Sequence, residues 1–132
     1  MSKDESKNQD RSDCRVAVTS KGDSIDSEIG SIGTSTYFII FESKIDNFSA
    51  IRNEAMGQGS DAGVRAAELL KSKGAGVIIT SNIGKKGLQA FEKAGITVHS
   101  GCTGKVRESI QKCAKGELPE CKGVTYVGPM KW

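Results

Sequence analysis

Residues 76–115 alternate twice between a short β-type run and a segment with helical spacing of apolar residues. The predicted strands cover 76–80 and 96–99, and the predicted helices cover about 84–94 and 103–115. Strands joined by helices of this length pair in parallel through right-handed crossovers. The alternation therefore predicts an α/β protein, because it leaves few arrangements other than helices packed on a sheet.

The residues before this alternation predict an antiparallel start to the same sheet. β-type runs cover 15–19 and 37–41, and the second is the most strongly β-type run in the chain. A third strand at 48–53 follows it through a turn at 44–47, so these two strands form a hairpin.

A helix is predicted between the hairpin and the alternation. Small and apolar residues at 63, 66, 67 and 70 have the spacing i, i+3, i+4 and i+7. They define a stripe on a helix that is capped by Asp61, ends near Gly74 and packs closely on the sheet. The complete prediction is a single α/β domain with a mixed five-stranded sheet. The N-terminal hairpin is antiparallel, the remainder is parallel, and helices cover both faces.

Length and composition set the domain organisation. A chain of 132 residues with 36% hydrophobic residues has room for one domain with a core. The charged residues at 1–14 predict a disordered tail, because they bury too little surface to offset the entropy of ordering. Residues 15–118 form the predicted α/β domain, and 119–132 form a C-terminal extension with a candidate edge strand at 124–127.

Composition also excludes classes of partner. No apolar run approaches the roughly 20 residues of a membrane span, and the N-terminal residues lack the apolar core of a signal peptide. The net charge is only +3, and the chain has one Trp and two Tyr residues for stacking on bases. We therefore expect a cytoplasmic protein without a membrane or nucleic-acid partner.

Two glycine- and lysine-rich turns, at 80–87 and 100–105, carry the strongest functional signal. Each stands between a predicted strand and a predicted helix, where free helix N–H groups and cations suit a compact anion. Neither turn fits a Walker or dinucleotide-binding motif. The predicted binding residues are Ser81, Asn82, Ile83, Gly84, Lys85, Gly101, Thr103, Gly104, Lys105 and Arg107, with Lys86 as a further cation. Tight turns with solvated lysines remain the alternative.

Cys102 and His99 are the candidate metal ligands. Cys102 precedes Thr103, the predicted cap of the last helix, where the helix dipole would lower a thiol pKa and favour a thiolate that binds a soft metal. His99 ends the strand just before this turn. A buried structural role is the alternative for both residues. Cys113 lies on the apolar stripe of the last helix and is predicted to be core, whereas Cys14 and Cys121 have no assigned role.

Three carboxylates leave a hydrolytic alternative open. Asp23, Asp26 and Asp61 could hold a divalent metal for hydrolysis. They fall on predicted loops rather than on strands, so a solvated acidic loop is the stronger interpretation, and no catalytic residue is assigned.

The chain resembles the dinitrogenase iron-molybdenum cofactor-binding family, which includes the molybdenum-copper orange protein. The resemblance spans about residues 15–118 and is carried by several motifs. They are Asp26-Ser27, Tyr37-Phe38, Gly57-Gln58-Gly59-Ser60-Asp61-Ala62-Gly63, Ala67-Glu68-Leu69-Leu70, Asn82-Ile83-Gly84, Ala94-Gly95-Ile96, Gly104 and Val106.

This resemblance implies a ribonuclease-H-like fold and a non-catalytic role. The implied function is binding, carriage or scaffolding of an anionic metal-sulfur cluster that contains molybdenum, iron or both, with copper as a further candidate. The implied partners are proteins that donate or accept the cluster, and the implied state is a monomer or weak homo-oligomer.

One motif departs from the family pattern. Many members have a His-Phe-Gly-Arg segment ahead of the Tyr-Phe pair, where this chain has Ser31-Ile32-Gly33-Thr34. The usual histidine and arginine are absent, so Cys102 or His99 would have to replace a ligand at that position. A regulatory or interaction domain that has lost the cluster site is the competing interpretation.

Overall fold

The computed structural model of the chain describes residues 15–42, 47–57, 59–114 and 123–125. The predicted tail at 1–14 and most of the C-terminal extension lie outside these residues. The elements are β1 (Arg15–Ser20), β2 (Tyr37–Glu42), β3 (Asn47–Arg52), a short 3₁₀ turn (Gly59–Asp61), α1 (Ala62–Ser72), β4 (Val77–Ile79), α2 (Lys85–Ala94), β5 (Thr97–Ser100), α3 (Val106–Ala114) and β6 (Gly123–Thr125).

The described strands form one mixed sheet in the order β3-β2-β1-β4-β5-β6. β1, β4 and β5 run parallel to one another, whereas β2, β3 and β6 pair antiparallel with their neighbours. The predicted α/β class and the predicted hairpin are confirmed. All five predicted strands are present, and the candidate edge strand predicted at 124–127 is found as β6 at 123–125. Because β6 pairs antiparallel with β5, the sheet is not parallel throughout its second half. The ribonuclease-H-like assignment stays a prediction.

Two apolar layers hold helices on both faces of the sheet, as the sequence predicted. Because side chains alternate along a strand, neighbouring residues of β1 enter different layers. Ala17 joins the layer under α1 and α2, which includes Phe38, Leu70 and Phe91. Val18 joins the layer under α3, which includes Ile79 and Ile110.

The small residues of α1 allow a close approach to a helix as well as to the sheet. Ala66, Ala67 and Leu70 are buried against the sheet layer. Gly63, at the start of the same stripe, instead meets Gly87 of α2, where an added Cβ on Gly87 would lie 2.9 Å from the Cα atom of Gly63. The small residue at the start of the stripe therefore allows α1 to pack closely on α2 as well.

Helix ends follow local chemistry. α2 ends at Ala94 because Gly95 adopts a left-handed φ of 77°, which an L side chain rarely takes, and its N–H donates back to Glu92 and Phe91. Within the part of the chain that the structure describes, no helix has the length and apolar character needed to cross a membrane.

Candidate anion-binding site at the sheet edge

Three loops share one edge of the sheet. Since β1, β4 and β5 are parallel, their carboxyl ends lie together, and the loops at 21–36, 80–84 and 101–105 leave from them. Both turns predicted to bind an anion are at this edge. The loop after β1 also lies at this edge of the sheet, although no sequence motif indicated this.

The first turn leads directly into α2. Gly84 occupies the N-cap position in an extended conformation, no side chain caps the helix, and the first intrahelical bond runs from the Leu88 N–H to the Gly84 carbonyl at 2.9 Å. Helix geometry leaves the N–H groups of the preceding turn without intrahelical acceptors. Those of Lys85, Lys86 and Gly87 find no other acceptor among the described residues. This helix end therefore presents free N–H groups, as predicted.

The start of the second turn is hydrogen-bonded to the start of the first turn. The N–H of Gly101 donates to the Ser81 carbonyl, and that of Cys102 to the Thr80 carbonyl, both at 3.1 Å. Gly101 and Gly104 have φ angles of 69° and 99°, so both positions require a conformation that favours glycine. The prediction that Thr103 caps the last helix is wrong. α3 begins only at Val106, because Lys105 first forms a β-bridge with Glu28.

Residues 25–29 cover the start of α3. The N–H groups of Val106 and Arg107 donate to the carbonyls of Ser27 and Ile25 at 2.9 and 2.8 Å, and the Ile29 N–H donates to the Gly104 carbonyl at 3.0 Å. The first amides of α3 are therefore already bonded within the chain. The expectation that both helices present free N–H groups holds for α2 and is wrong for α3. Long-range backbone pairing of this kind leaves no sequence pattern.

The Gly30 carbonyl connects the carboxyl ends of β1 and β4. It accepts hydrogen bonds from Thr19 Oγ1 at 2.5 Å, from Thr80 Oγ1 at 3.3 Å and from the Ser81 N–H at 3.1 Å. The chain leaves β1 toward β2 and leaves β4 toward β5, so this is the point where the sheet order reverses, the usual position of a ligand crevice. In this protein the Gly30 carbonyl lies at that point and is hydrogen-bonded to the first residues of the 80–84 turn.

Ion pairs engage two of the four predicted cations. Lys86 Nζ lies 2.9 Å from Asp61 Oδ1, which joins the starts of α2 and α1. Arg107 donates from Nε to Asp26 Oδ1 at 2.8 Å and from Nη2 to Oδ2 at 3.4 Å. Lys85 and Lys105 are exposed and have no carboxylate within ion-pair distance among the described residues. Their charges remain available at this edge.

These pairs shift the ionisation of the carboxyl groups. The hydrogen bond from Arg107 holds the pKa of Asp26 below its usual value, with further help from the charges of Arg107 and Lys105. The hydrogen bond from Lys86 likewise lowers the pKa of Asp61. The same contact with Asp26 raises the pKa of Arg107. Both carboxylates are therefore charged partners across the neutral pH range.

The two candidate metal ligands are buried. Cys102 is fully buried in the layer under α3 and is disulfide-bonded, and its Sγ lies 3.3 Å from the His99 carbonyl oxygen. A ligand role for Cys102 would therefore require reduction of that bond. His99 is 6% exposed at the end of β5. Cys14 and Cys121, and the side chain of Cys113, lie outside the described part of the chain.

The acidic residues do not assemble a metal site. Asp26 and Asp61 are bonded to cations on different helices. Among the residues that the structure describes, no group of three or more His, Cys, Asp or Glu side chains could hold a metal ion. Nothing in this part of the molecule supports the hydrolytic alternative.

The segment that departs from the family pattern is held by Asn53. The Asn53 Nδ2 group donates to the carbonyls of Ile32 at 2.7 Å and Ser35 at 2.8 Å, and its Oδ1 accepts from the Ala55 N–H at 2.9 Å. Residues 31–34 thus belong to the loop after β1, at the same edge as both turns. Asn53 has no recognisable motif, so the sequence did not identify it.

A cleft elsewhere on the molecule carries none of this chemistry. It has a volume of about 520 Å³ and lies beside α1, lined by Glu54, Ala55, Arg65, Glu68 and Leu69. None of the predicted binding residues contributes to it, and its walls carry charges of both signs.

Comparisons with known proteins agree with this architecture. The apo form of the orange protein from Desulfovibrio gigas has a TM-score of 0.76 and 29% identity, with 86% of this chain and 97% of that chain covered. A NifB-like protein from Thermotoga has a TM-score of 0.65 and 29% identity, with 87% of this chain and 99% of that chain covered. No protein of curated function matches the sequence at a significant level.

The fold and its loop-bearing edge define a small α/β domain with a mixed sheet, of the kind seen in these solved structures. The chain belongs to the dinitrogenase iron-molybdenum cofactor family, whose sequence pattern it matches over residues 12–116.

Proposed function

We propose that this protein binds a preformed anionic metal-sulfur cluster and passes it to another protein, without catalysing a reaction on it. The cargo is a molybdenum- or iron-containing cluster of the iron-molybdenum cofactor precursor or thiomolybdate type. The observation that carries this proposal is family membership over residues 12–116. The partners are the proteins that supply and accept the cluster.

The edge of the sheet supports capture of an anion. Free N–H groups at the start of α2 point away from the helix and carry its positive dipole end. The turns at 80–84 and 101–105 are adjacent because Gly101 donates to Ser81. Both turns carry exposed side chains, including Asn82, Lys85 and Thr103. A compact anion between the two turns would meet amides and cations rather than metal ligands.

Cys102 and His99 have a secondary role in this proposal. Both are buried, so a cluster held at the rim would contact them only after the 101–105 turn moves and the disulfide of Cys102 is reduced. Uptake of a cluster by Cys102→Ser and His99→Ala variants, with and without a dithiol reductant, tests this. Full binding by both variants removes them as ligands.

The test of the function itself uses protein purified without oxygen. We expect visible absorption bands, and molybdenum or iron in the metal analysis. We also expect the metal-free protein to take up tetrathiomolybdate with a shift of its absorption bands. A colourless, metal-free protein that fails to take up tetrathiomolybdate contradicts the proposal and favours the regulatory or interaction domain instead.

A further inference from the structure

β3 forms one edge of the sheet, and no strand among the described residues pairs with its outer side. Its six residues pair continuously with β2, so the strand has no bulge. Five of the six are exposed and Ile51 is half-buried, whereas the four central residues of β2 are buried. β3 therefore presents a straight row of backbone donors and acceptors at the surface of the described molecule.

The backbone groups of Phe48, Ala50 and Arg52 face this outer side. The Asn53 N–H donates to the Thr36 carbonyl at 2.9 Å, at the end of the β2–β3 ladder. Hydrogen-bonded and non-hydrogen-bonded pairs alternate along an antiparallel ladder, so the odd-numbered residues of β3 bond to β2. The even-numbered residues point their N–H and C=O groups away from it.

The sequence of β3 lacks the features that usually protect a sheet edge. Such edges carry lysine, proline or a bulge, or are very short. β3 has no lysine or proline, and Arg52 is its only charged side chain. Phe48 packs on Phe41, with ring centroids 6.3 Å apart, and is still 43% exposed. The opposite edge of the described sheet, Gly123–Thr125, is only three residues long. β3 is therefore the edge better suited to pairing with another chain.

We infer that two copies of this chain associate through antiparallel pairing of β3 with β3 of the second copy. A two-fold axis perpendicular to the sheet keeps every side chain on its own face, so paired residues are both even-numbered or both odd-numbered. When Ala50 lies opposite Ala50 of the second copy, Phe48 lies opposite Arg52. This register pairs all three residues whose backbone groups face outward, and each pair exchanges two hydrogen bonds.

The strand is self-complementary in this register. Each Arg52 lies opposite the exposed ring of Phe48 in the other copy, where a guanidinium group is attracted to the aromatic face. The two Arg52 side chains are at opposite ends of the paired segment, so no like charges of β3 oppose each other. This match favours a second copy of the chain over a peptide from a different protein.

The association leaves the candidate anion-binding edge open. β3 runs parallel to β1, because both strands pair antiparallel with β2. The second sheet runs in the opposite direction, so the loop-bearing edges of the two copies lie at opposite ends of the joined sheet. The inference is therefore independent of the proposed function.

The experiment measures the mass of the full-length protein by sedimentation equilibrium from about 10 μM to 1 mM, a range suited to a weak contact. We expect the mass to rise with concentration toward twice that of a single chain. Ala50→Lys places two ammonium groups opposite each other at the two-fold axis and should weaken association about fivefold or more. Gln89→Lys adds the same charge at an exposed position on α2 and is the matched control, which should associate like the natural protein.

Amide hydrogen exchange of the natural protein tests the register without a substitution. Exchange at Phe48, Ala50 and Arg52 should slow as the concentration rises, because their N–H groups gain acceptors only in the dimer. A mass that stays at one chain up to the highest concentration overturns the inference. So does a dimer that Ala50→Lys and Gln89→Lys affect equally, or one in which these three amides exchange as fast as in the dilute protein.

Discussion

Gly63 and Gly87 meet backbone to backbone where α1 packs on α2. A Cβ atom on Gly87 would lie 2.9 Å from the Cα atom of Gly63, and one on Gly63 would lie 3.3 Å from the Gly87 nitrogen. The ion pair between Asp61 and Lys86 lies directly beside this contact. The close approach of the two helices therefore holds the first turn of α2, which carries the free amides of the candidate site, against the start of α1.

Gly63→Ala should destabilise the protein. The added methyl group overlaps the backbone of α2, and overpacking of this kind costs about 1–3 kcal/mol. This cost exceeds the gain of about 1 kcal/mol or less in helix propensity. Chemical denaturation gives the free energy of unfolding. Gly76→Ala is the matched control, because no atom lies within 4 Å of its added Cβ, and it should be neutral or slightly stabilising.

Asn53→Asp should loosen the loop after β1. A carboxylate cannot donate to the carbonyls of Ile32 and Ser35, so two buried acceptors lose their donor at a position that is 4% exposed. We expect a loss of about 2–3 kcal/mol in the free energy of unfolding. Gln89→Glu makes the same change from an amide to a carboxylate at an exposed position and serves as the control. It should have little effect on the free energy of unfolding. An unchanged stability in the Asn53 variant would show that this network does not hold the loop.

The two ion pairs should make stability depend on pH in acid. The pKa values of Asp26 and Asp61 are lower in the folded protein than in the unfolded chain. Their contribution is therefore fully present above the unfolded-state value of about 3.9, and it is lost as pH falls through the folded-state values. Urea midpoints compared at neutral pH and in acid measure this loss. It should be smaller in the Asp26→Asn, Asp61→Asn double variant, and an equal loss would contradict the prediction.

Gly84→Pro tests whether backbone amides hold the anion. Gly84 has a φ of −80° and open space at its Cβ position, and its N–H donates to no acceptor among the described residues, so proline removes one free N–H without changing the φ of Gly84. A hydrogen bond to a charged group contributes about 1.5–3 kcal/mol, so we expect tetrathiomolybdate to bind roughly tenfold more weakly or worse. Gly84→Ala keeps the N–H and should bind like the natural protein. Equal affinity of the two variants would remove this amide from the site.

Local sequence pattern was sufficient for the elements that depend on local chemistry. The alternation of 76–115 predicted β4, α2, β5 and α3 because apolar spacing distinguishes strands from helices within a single segment. Helices on both faces followed from the same alternation. The start of α3 was misplaced, since Thr103 is a good cap by residue type but the bridge between Lys105 and Glu28 delays the helix.

In the candidate site, too, some features follow from the sequence and others depend on the tertiary structure. The sequence determined that two glycine- and lysine-rich turns join strands to helices, and that the residues 82–84 carry the most specific family motif. Only the tertiary structure decided which of their groups are free. Ser27 and Ile25 bond the first amides of α3, and the Gly30 carbonyl accepts from residues at the ends of β1 and β4. Carboxylates far away in the chain neutralise Lys86 and Arg107. Such partners are brought together by packing of the sheet and helices, so no spacing within one segment could reveal them.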